Sequence, residues 1–280
     1  MDNETVHERM RAAWGGVADG WGAQSKAGDN GQAAATDWLL SRTDPRPGEV
    51  VLDLAGGAGG LGRLAAQRVG PDGLVLATDF APKMVEVART IADEEHLTNI
   101  EFRVLDAQQM DLDDESVDVV LCRSGIMLMV DPGAALREVR RVLRDGGRLA
   151  CSVFTTPEQN PWATTMIGPF VARGLLEPPE PGGPGMFALG RPGVLRALID
   201  AAGFDRSEFD ELDYTIRFAD DDAVWNLVAN VNALLPPILR GLDDHERGEI
   251  RSAVVDAYAP WRTADSSYEV PGRVLAALAR

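Results

Sequence analysis

The sequence predicts an α/β fold: a doubly wound, mostly parallel, Rossmann-like sheet of seven strands, with helical insertions that form a lid. Three observations predict it. Between residues 49 and 154, short apolar runs alternate with segments of helical spacing. Runs such as "EVVLDL" and "SVDVVLCR" are apolar on both sides of the pleat, as strands covered by helices on both faces require. The first run leads through a glycine-rich turn, "AGGAGGLG", into a helix, the opening of a strand–helix–strand unit.

The elements follow in order. Residues 1–45 read as an N-terminal helical arm. "EVVLDL" is the first strand and "LGRLAAQRV" its helix. "GLVLATD" is the second strand. "APKMVEVARTIADEE" is a helix with Met84, Val87, Ala88 and Ile91 on one face. "NIEFRVLD" alternates as the third strand, and "SVDVVLCR" is the fourth. "DPGAALREVRRVL" carries an apolar stripe of Leu136, Val139 and Leu143. "DGGRLACSVF" is a turn and then the fifth strand. "TTPEQNPW" and "LLEPPEPGGPGM" are Pro/Gly-rich loops or lid pieces. "RPGVLRALIDAAGF" is a helix between Pro192 and Gly203. "FDELDYTIRF" is a sixth strand. Residues 220–259 read as one or two helices broken at "LLPP". "YEVPGRVLAALAR" is a last strand in which Pro271 marks an edge or a bulge. The whole chain reads as a single domain, with a core over 49–154 and insertions at 155–190 and 219–262.

Composition narrows the partners. The 280 residues hold 44 acidic and 27 basic side chains, a net charge of −17. Phosphate binding needs a basic face, so nucleic acid is not expected, and neither is an anionic membrane surface. The polar N-terminus has no signal-peptide core and no stretch is long enough to span a bilayer, so the expected location is cytoplasmic. Cys122 and Cys151 are the only cysteines. Both lie in strand-like runs and read as small buried hydrophobes, and thiol–metal or arsenic chemistry would want more thiols.

The strand ends carry the chemistry. Gly57, Gly59 and Gly62 spell a literal G-x-G-x-x-G, and Asp79 lies 20 residues past Gly59, the pattern of a dinucleotide site. Four strand ends carry polar residues where ligands bind in a parallel sheet: Asp53 with Leu54, Ala55, Gly56, Gly57 and Gly59; Asp79 with Phe80; Asp106 with Ala107 and Gln108; and Arg123. Asp79 can accept from ribose hydroxyls and Asp106 from an adenine amino group. Asp53 decides between ligands. A carboxylate ahead of the turn would repel a pyrophosphate, whereas the ammonium and sulfonium of S-adenosylmethionine suit an acid-lined pocket.

These residues resemble the class I S-adenosylmethionine-dependent methyltransferases. "VLDLAGGAGGLG" is similar to their D-x-G-x-G-x-G motif, with Ala55 in place of the first glycine. "ATDFAPKMVEVAR" resembles their second segment, which implies that Asp79 is the ribose acid and that Met84 packs near the adenine. "VLDAQQMDLDDESVDVVLCRSGIMLMVDP" resembles the adenine segment and fourth strand. The branch containing quinone-biosynthesis C-methyltransferases is the most similar, and it commonly opens with a Trp-marked helix like "AAWGGVADGW". The resemblance implies a small-molecule acceptor and leaves the assembly open, a homodimer included.

The implied reaction is in-line attack on the sulfonium methyl, for which alignment and exclusion of water are the protein's tasks. A base is needed only where the acceptor has a proton to lose. Arg123, beside the expected methyl position, is the leading candidate for a catalytic role, with a salt bridge as its plain structural alternative. His245 is a weaker candidate, in the charged stretch "DDHERGE". His96 sits in a turn away from the strand ends, and His7 lies in an arm that could close over the site. Trp21 reads as a lid over the cofactor. Asn160, Trp162, Met186 and Phe187 are candidate acceptor-pocket residues. Asp111, Asp113, Asp114 and Glu115 are not spaced as metal ligands, and no metal is expected. A nicotinamide-dependent oxidoreductase and a non-catalytic S-adenosylmethionine-binding protein are the competing readings.

Overall fold

The computed structural model describes residues 3–27, 31–177 and 185–280. Two helices, α1 (Asn3–Gly15) and α2 (Ala18–Ala27), precede α3 (Ala33–Thr43). The sheet has seven strands: β1 (Val50–Asp53), β2 (Leu74–Asp79), β3 (Ile100–Val104), β4 (Val117–Arg123), β5 (Leu143–Phe154), β6 (Ser207–Phe218) and β7 (Tyr268–Ala279). Their order is β3-β2-β1-β4-β5-β7-β6. β1 to β5 pair in parallel, and β7 runs antiparallel to both β5 and β6.

Helices α4 (Gly60–Val69) and α5 (Pro82–Glu94) link β1 to β2 and β2 to β3, while α6 (Pro132–Val142) links β4 to β5. The first two links step one way across the sheet and the third steps the other way. Right-handed crossovers therefore put α4 and α5 on one face and α6 on the opposite one. The order reverses between β1 and β4, so the ends of these two strands, Asp53 and Arg123, frame the crevice where such sheets bind ligands.

The rest of the chain departs from expectation in detail. β5 begins at Leu143 and runs through "DGG". Its pairing with β4 shifts register there, with Gly146 at φ 74°. Helix α7 (Pro161–Ala172) follows β5, and α8 (Val194–Ala201) starts only after Gly193, which caps it at φ 82°. Residues 178–184, within the expected lid loop, lie outside the described residues. The 220–259 segment holds three helices, α9 (Asp221–Asn226), α10 (Leu235–Arg240) and α11 (Asp244–Ala257), with a π-helical turn over Leu227–Val231. "LLPP" starts α10 instead of interrupting a helix, because a proline N–H is not needed in a first turn. β7 is an interior strand, yet β5 pairs with it only from Val274 onward, so Pro271 sits where that flank is unpaired.

The core lies between the sheet and its helices. Val51, Leu52, Val119, Leu121, Leu149 and Ala150 are fully buried. Cys122 and Cys151 face each other in register across β4 and β5, both free and buried, and burial pushes the Cys122 thiol up to about 12. A smaller cluster of Val17, Ala18, Ala81, Met84 and Ala233 holds the arm against α5. Gly20 is set into the π-helical turn so closely that a Cβ would come 1.9 Å from the Asn230 carbonyl oxygen. Trp21 Nε1 donates to the Val231 carbonyl at 3.0 Å. The arm and the 219–262 segment are thereby tied to each other. No helix among the described residues is long and apolar enough to cross a membrane.

Candidate active site

The glycine loop is shaped around one carboxylate. Asp53 ends β1 fully buried, and neither of its oxygens has a hydrogen-bond partner among the described residues. A Cβ on Gly56 would lie 2.5 Å from its Oδ2, and one on Gly62 would lie 2.7 Å from the same atom. The carboxylate therefore fits only because both positions lack a side chain. Burial pushes its pKa up to about 6, against the opposing pull of the Arg123 guanidinium. Loop hydrogen bonds hold this shape: the Gly56 N–H donates to the Thr78 carbonyl at 2.8 Å, and Thr78 Oγ1 donates to the Asp53 carbonyl at 3.0 Å. Gly57 and Gly59 take φ of 56° and 75°, which glycine allows at little cost. Ala55 takes φ 54° in a position where the related motif has glycine. Its methyl is accommodated by Gly125, where a Cβ would come within 2.6 Å of it. Gly62→Ala is expected to push Asp53 aside and destabilise the fold by about 1–3 kcal/mol, read as a lower Tm; an unchanged Tm would mean the packing behind the carboxylate is loose.

The second acid is held by backbone donors. Asp79 Oδ2 accepts from the Gly57 N–H at 3.0 Å and Oδ1 accepts from the Ala81 N–H at 2.8 Å, which fixes it between the loop and α5. Desolvation raises its pKa, opposed by these N–H donors. A narrow crevice runs beside it, lined by Gly57, Gly59, Asp79, Ala88 and Phe102. At the third strand end, Asp106 Oδ1 accepts from the backbone N–H of Gln108 at 2.9 Å and from Gln108 Nε2 at 3.1 Å. Gln108 Oε1 accepts from the Asp131 N–H at the start of α6 at 2.7 Å. Leu54 and Ala107 are buried and contribute to this end of the sheet through backbone position.

Arg123 extends from the end of β4 to donate to Thr36 Oγ1 on α3 at 2.5 Å, and a Cβ on Gly60 would lie 3.7 Å from its Nη2. The cation thus stands beside both the glycine loop and Asp53. Arg63, which the sequence gives no signal to separate from the other helix residues, pins the same loop. Its Nη1 donates to the Ala58 carbonyl at 2.9 Å, its Nε to Glu95, and its Nη2 to Ser25 Oγ on the arm at 3.2 Å.

The other expected residues are spread over the arm, the insertions and the strand ends. Met84 packs under the arm with Val17 and Ala18, so α1 and α2 take up its surface. Trp21 is spent on the Val231 carbonyl and on Trp14, with ring centroids 6.2 Å apart. His245 is 83% exposed on α11, 3.7 Å from Glu249, and forms no part of the strand-end cluster. This follows from the capping box of Asp243 and Glu246, which starts α11 and turns the charged stretch outward. His96 is exposed at φ 57°. Asn160 and Trp162 belong to a closed network: Trp162 Nε1 donates to Tyr214 Oη at 2.7 Å, which donates to Asn160 Oδ1 at 2.8 Å. Met186 and Phe187 are half-buried against the core. Phe80 holds its expected place after Asp79, and the arm contacts it: Arg11 sits 4.6 Å over its ring and His7 meets its edge at 5.4 Å.

The arrangement fits a cationic ligand with a ribose. A buried carboxylate with no close hydrogen bond, only partly offset by Arg123, favours further positive charge, Asp79 keeps lone pairs for hydroxyl donors, and the close glycines admit a ligand to the backbone.

Comparisons with known proteins place the chain among methyltransferase-like sequences and folds. Residues 45–169 match the family described as "Methyltransferase domain". An arsenite methyltransferase from Halobacterium salinarum is 34% identical over 177 residues, 62% of this chain and 42% of that protein. A ubiquinone/menaquinone biosynthesis C-methyltransferase from Caulobacter vibrioides is 36% identical over 135 residues, 45% of this chain and 52% of that protein. The chain spans about half the length of these curated relatives. Among solved structures, the YcgJ protein from Bacillus subtilis aligns with a TM-score of 0.57 at 18% identity, covering 88% of this chain and 97% of that one. The [4+2]-cyclase SpnF aligns with a TM-score of 0.53 at 18% identity, covering 90% and 84%. At these identities the two structures share the fold.

Proposed function

We propose that the chain, whose residues 45–169 match a methyltransferase domain, transfers a methyl group from S-adenosylmethionine to a small-molecule acceptor such as a phenol, quinol, amine or natural-product scaffold. The observation that carries the proposal is Asp53, a fully buried carboxylate with no close hydrogen bond and only partly offset by Arg123, set behind the glycine loop. S-adenosylmethionine supplies a methyl group activated on a sulfonium. Asp53 provides the negative charge that favours a cation at the loop, and Asp79 accepts from the ribose hydroxyls. Asp106 accepts from the adenine amino group. Arg123 orients the acceptor at the end of β4, and the 155–190 and 219–262 insertions exclude water from the reacting centre.

Two observations shape the acceptor class. Trivalent arsenic binds soft thiolates. Both cysteines of this chain are buried in the sheet with thiols pushed upward, so the first relative's named substrate does not carry over. The fold shared with a [4+2]-cyclase leaves methyl transfer to be tested as chemistry and not assumed from architecture.

Thermal melting separates the cofactor readings. S-adenosylhomocysteine at about 100 times its Kd should stabilise the chain by about 2.7 kcal/mol, raising Tm by about 5 °C or more. NAD should leave Tm unchanged, and the reverse pattern would favour the nicotinamide reading. Incubation with methyl-labelled cofactor and a panel of phenols, quinols and amines then separates catalysis from binding alone.

A further inference from the structure

The N-terminal arm reaches the side chains that the proposed function gives to adenosine. His7 and Arg11 lie one helical turn apart on α1, and both meet Phe80, at 5.4 Å between rings and 4.6 Å from guanidinium to ring. His7 Nε2 lies 3.0 Å from Gln108 Nε2, and His7 Nδ1 lies 3.9 Å from Asp106 Oδ2. The Gln108 amide cannot turn over. Its Oε1 accepts from the Asp131 N–H at 2.7 Å and its Nε2 donates to Asp106 Oδ1 at 3.1 Å. The nitrogen facing His7 is therefore a donor, and His7 Nε2 is the acceptor, assigned from the network. The tautomer that remains carries its proton on Nδ1, toward the Asp106 carboxylate.

An adenine edge presents the same pair: an amino N–H as donor and an adjacent ring nitrogen as acceptor. We infer that His7 stands in the adenine subsite: it gives Gln108 the acceptor that an adenine ring nitrogen would give, and holds its Nδ1 proton near Asp106, at 3.9 Å, where an adenine amino group would donate. Arm and adenine therefore compete for one place. This rests on the reading of Asp106 as the adenine acceptor. It makes the arm a gate whose release accompanies cofactor entry, with Phe80 given up by His7 and Arg11 as the adenine arrives.

Calorimetry with S-adenosylhomocysteine on the full chain tests it, using wild type, His7→Ala and Asp106→Ala. His7→Ala should bind about three- to tenfold more tightly, the yield of removing one competing hydrogen bond. In wild type, saturating ligand should also speed tryptic cleavage at Arg11. Unchanged affinity in His7→Ala overturns the competition, and weaker affinity overturns it in favour of an arm that caps the bound ligand. If Asp106→Ala weakens binding while His7→Ala fails to tighten it, only the competition falls. If Asp106→Ala has no effect, or wild type binds no ligand, the adenosine reading falls and the inference with it.

Discussion

Asp53→Asn is expected to make the chain more stable at pH 7 while removing most of its affinity for cofactor. The folded chain holds this carboxyl at a pKa of about 6, against 3.8 for an ordinary aspartate, because burial disfavours the charge more than Arg123 restores it. Below pH 3.8 the group is neutral in both folded and unfolded chains and costs nothing. Between 3.8 and 6 the folded chain keeps a proton that the unfolded chain has lost, so stability falls as pH rises through that window. Above 6 the full penalty applies, about 3 kcal/mol at 1.36 kcal/mol per unit. Asparagine removes the charge but leaves a buried amide, so the net gain should be about 1–3 kcal/mol, seen as a Tm higher by about 2–8 °C. The same substitution deletes the charge that faces the cationic ligand, and affinity should fall about a hundredfold or more. A variant less stable than wild type, or one binding with unchanged affinity, would show that Asp53 is an ordinary structural acid.

Asp79→Ala should lose binding as severely, with stability moving the other way. Its two oxygens take the N–H groups of Gly57 and Ala81. Alanine leaves both donors without their partner, at about 1–3 kcal/mol each if water does not reach them. Tm should therefore fall, and affinity for S-adenosylhomocysteine should drop about a hundredfold as the ribose acceptor disappears. Equilibrium melting and calorimetry on the two variants read opposite stability signs with the same sign in binding. That combination separates an acid kept for function from one kept for the loop's structure and function together.

The sheet and the end proposed to bear the ligand were legible because burial on both faces writes apolar runs in β1, β2 and β4. Polar residues gather where strands stop, at Asp53, Asp79, Asp106 and Arg123, although Glu101, Arg103 and Asp118 also lie inside β3 and β4. Spacing also named the glycines, but it could not say that Gly62 serves to clear room for Asp53, since that contact joins a helix to the preceding strand. The segment after Phe218 was less legible. A π-helical turn has no sequence period of its own, and "LLPP" reads equally as the end of one helix or the start of the next. Met84 carried a helix-face pattern that says nothing of the arm, yet Val17 and Ala18 pack against it. The contribution of His7 and Arg11 was half visible. Their spacing puts them on one face of α1, but the meeting with Phe80 and Gln108 depends on how the arm folds back, which local pattern does not encode.

The measurement that bears most directly on the central claim is the affinity of the wild-type chain for S-adenosylmethionine at pH 8 and at pH 5, by calorimetry. A site built on the Asp53 carboxylate binds the cation best when that group is ionised. Affinity should hold at pH 8 and weaken by up to about tenfold per unit below pH 6, with Asp79 adding in the same direction. Equal affinity at the two pH values, or tighter binding at pH 5, would contradict the account.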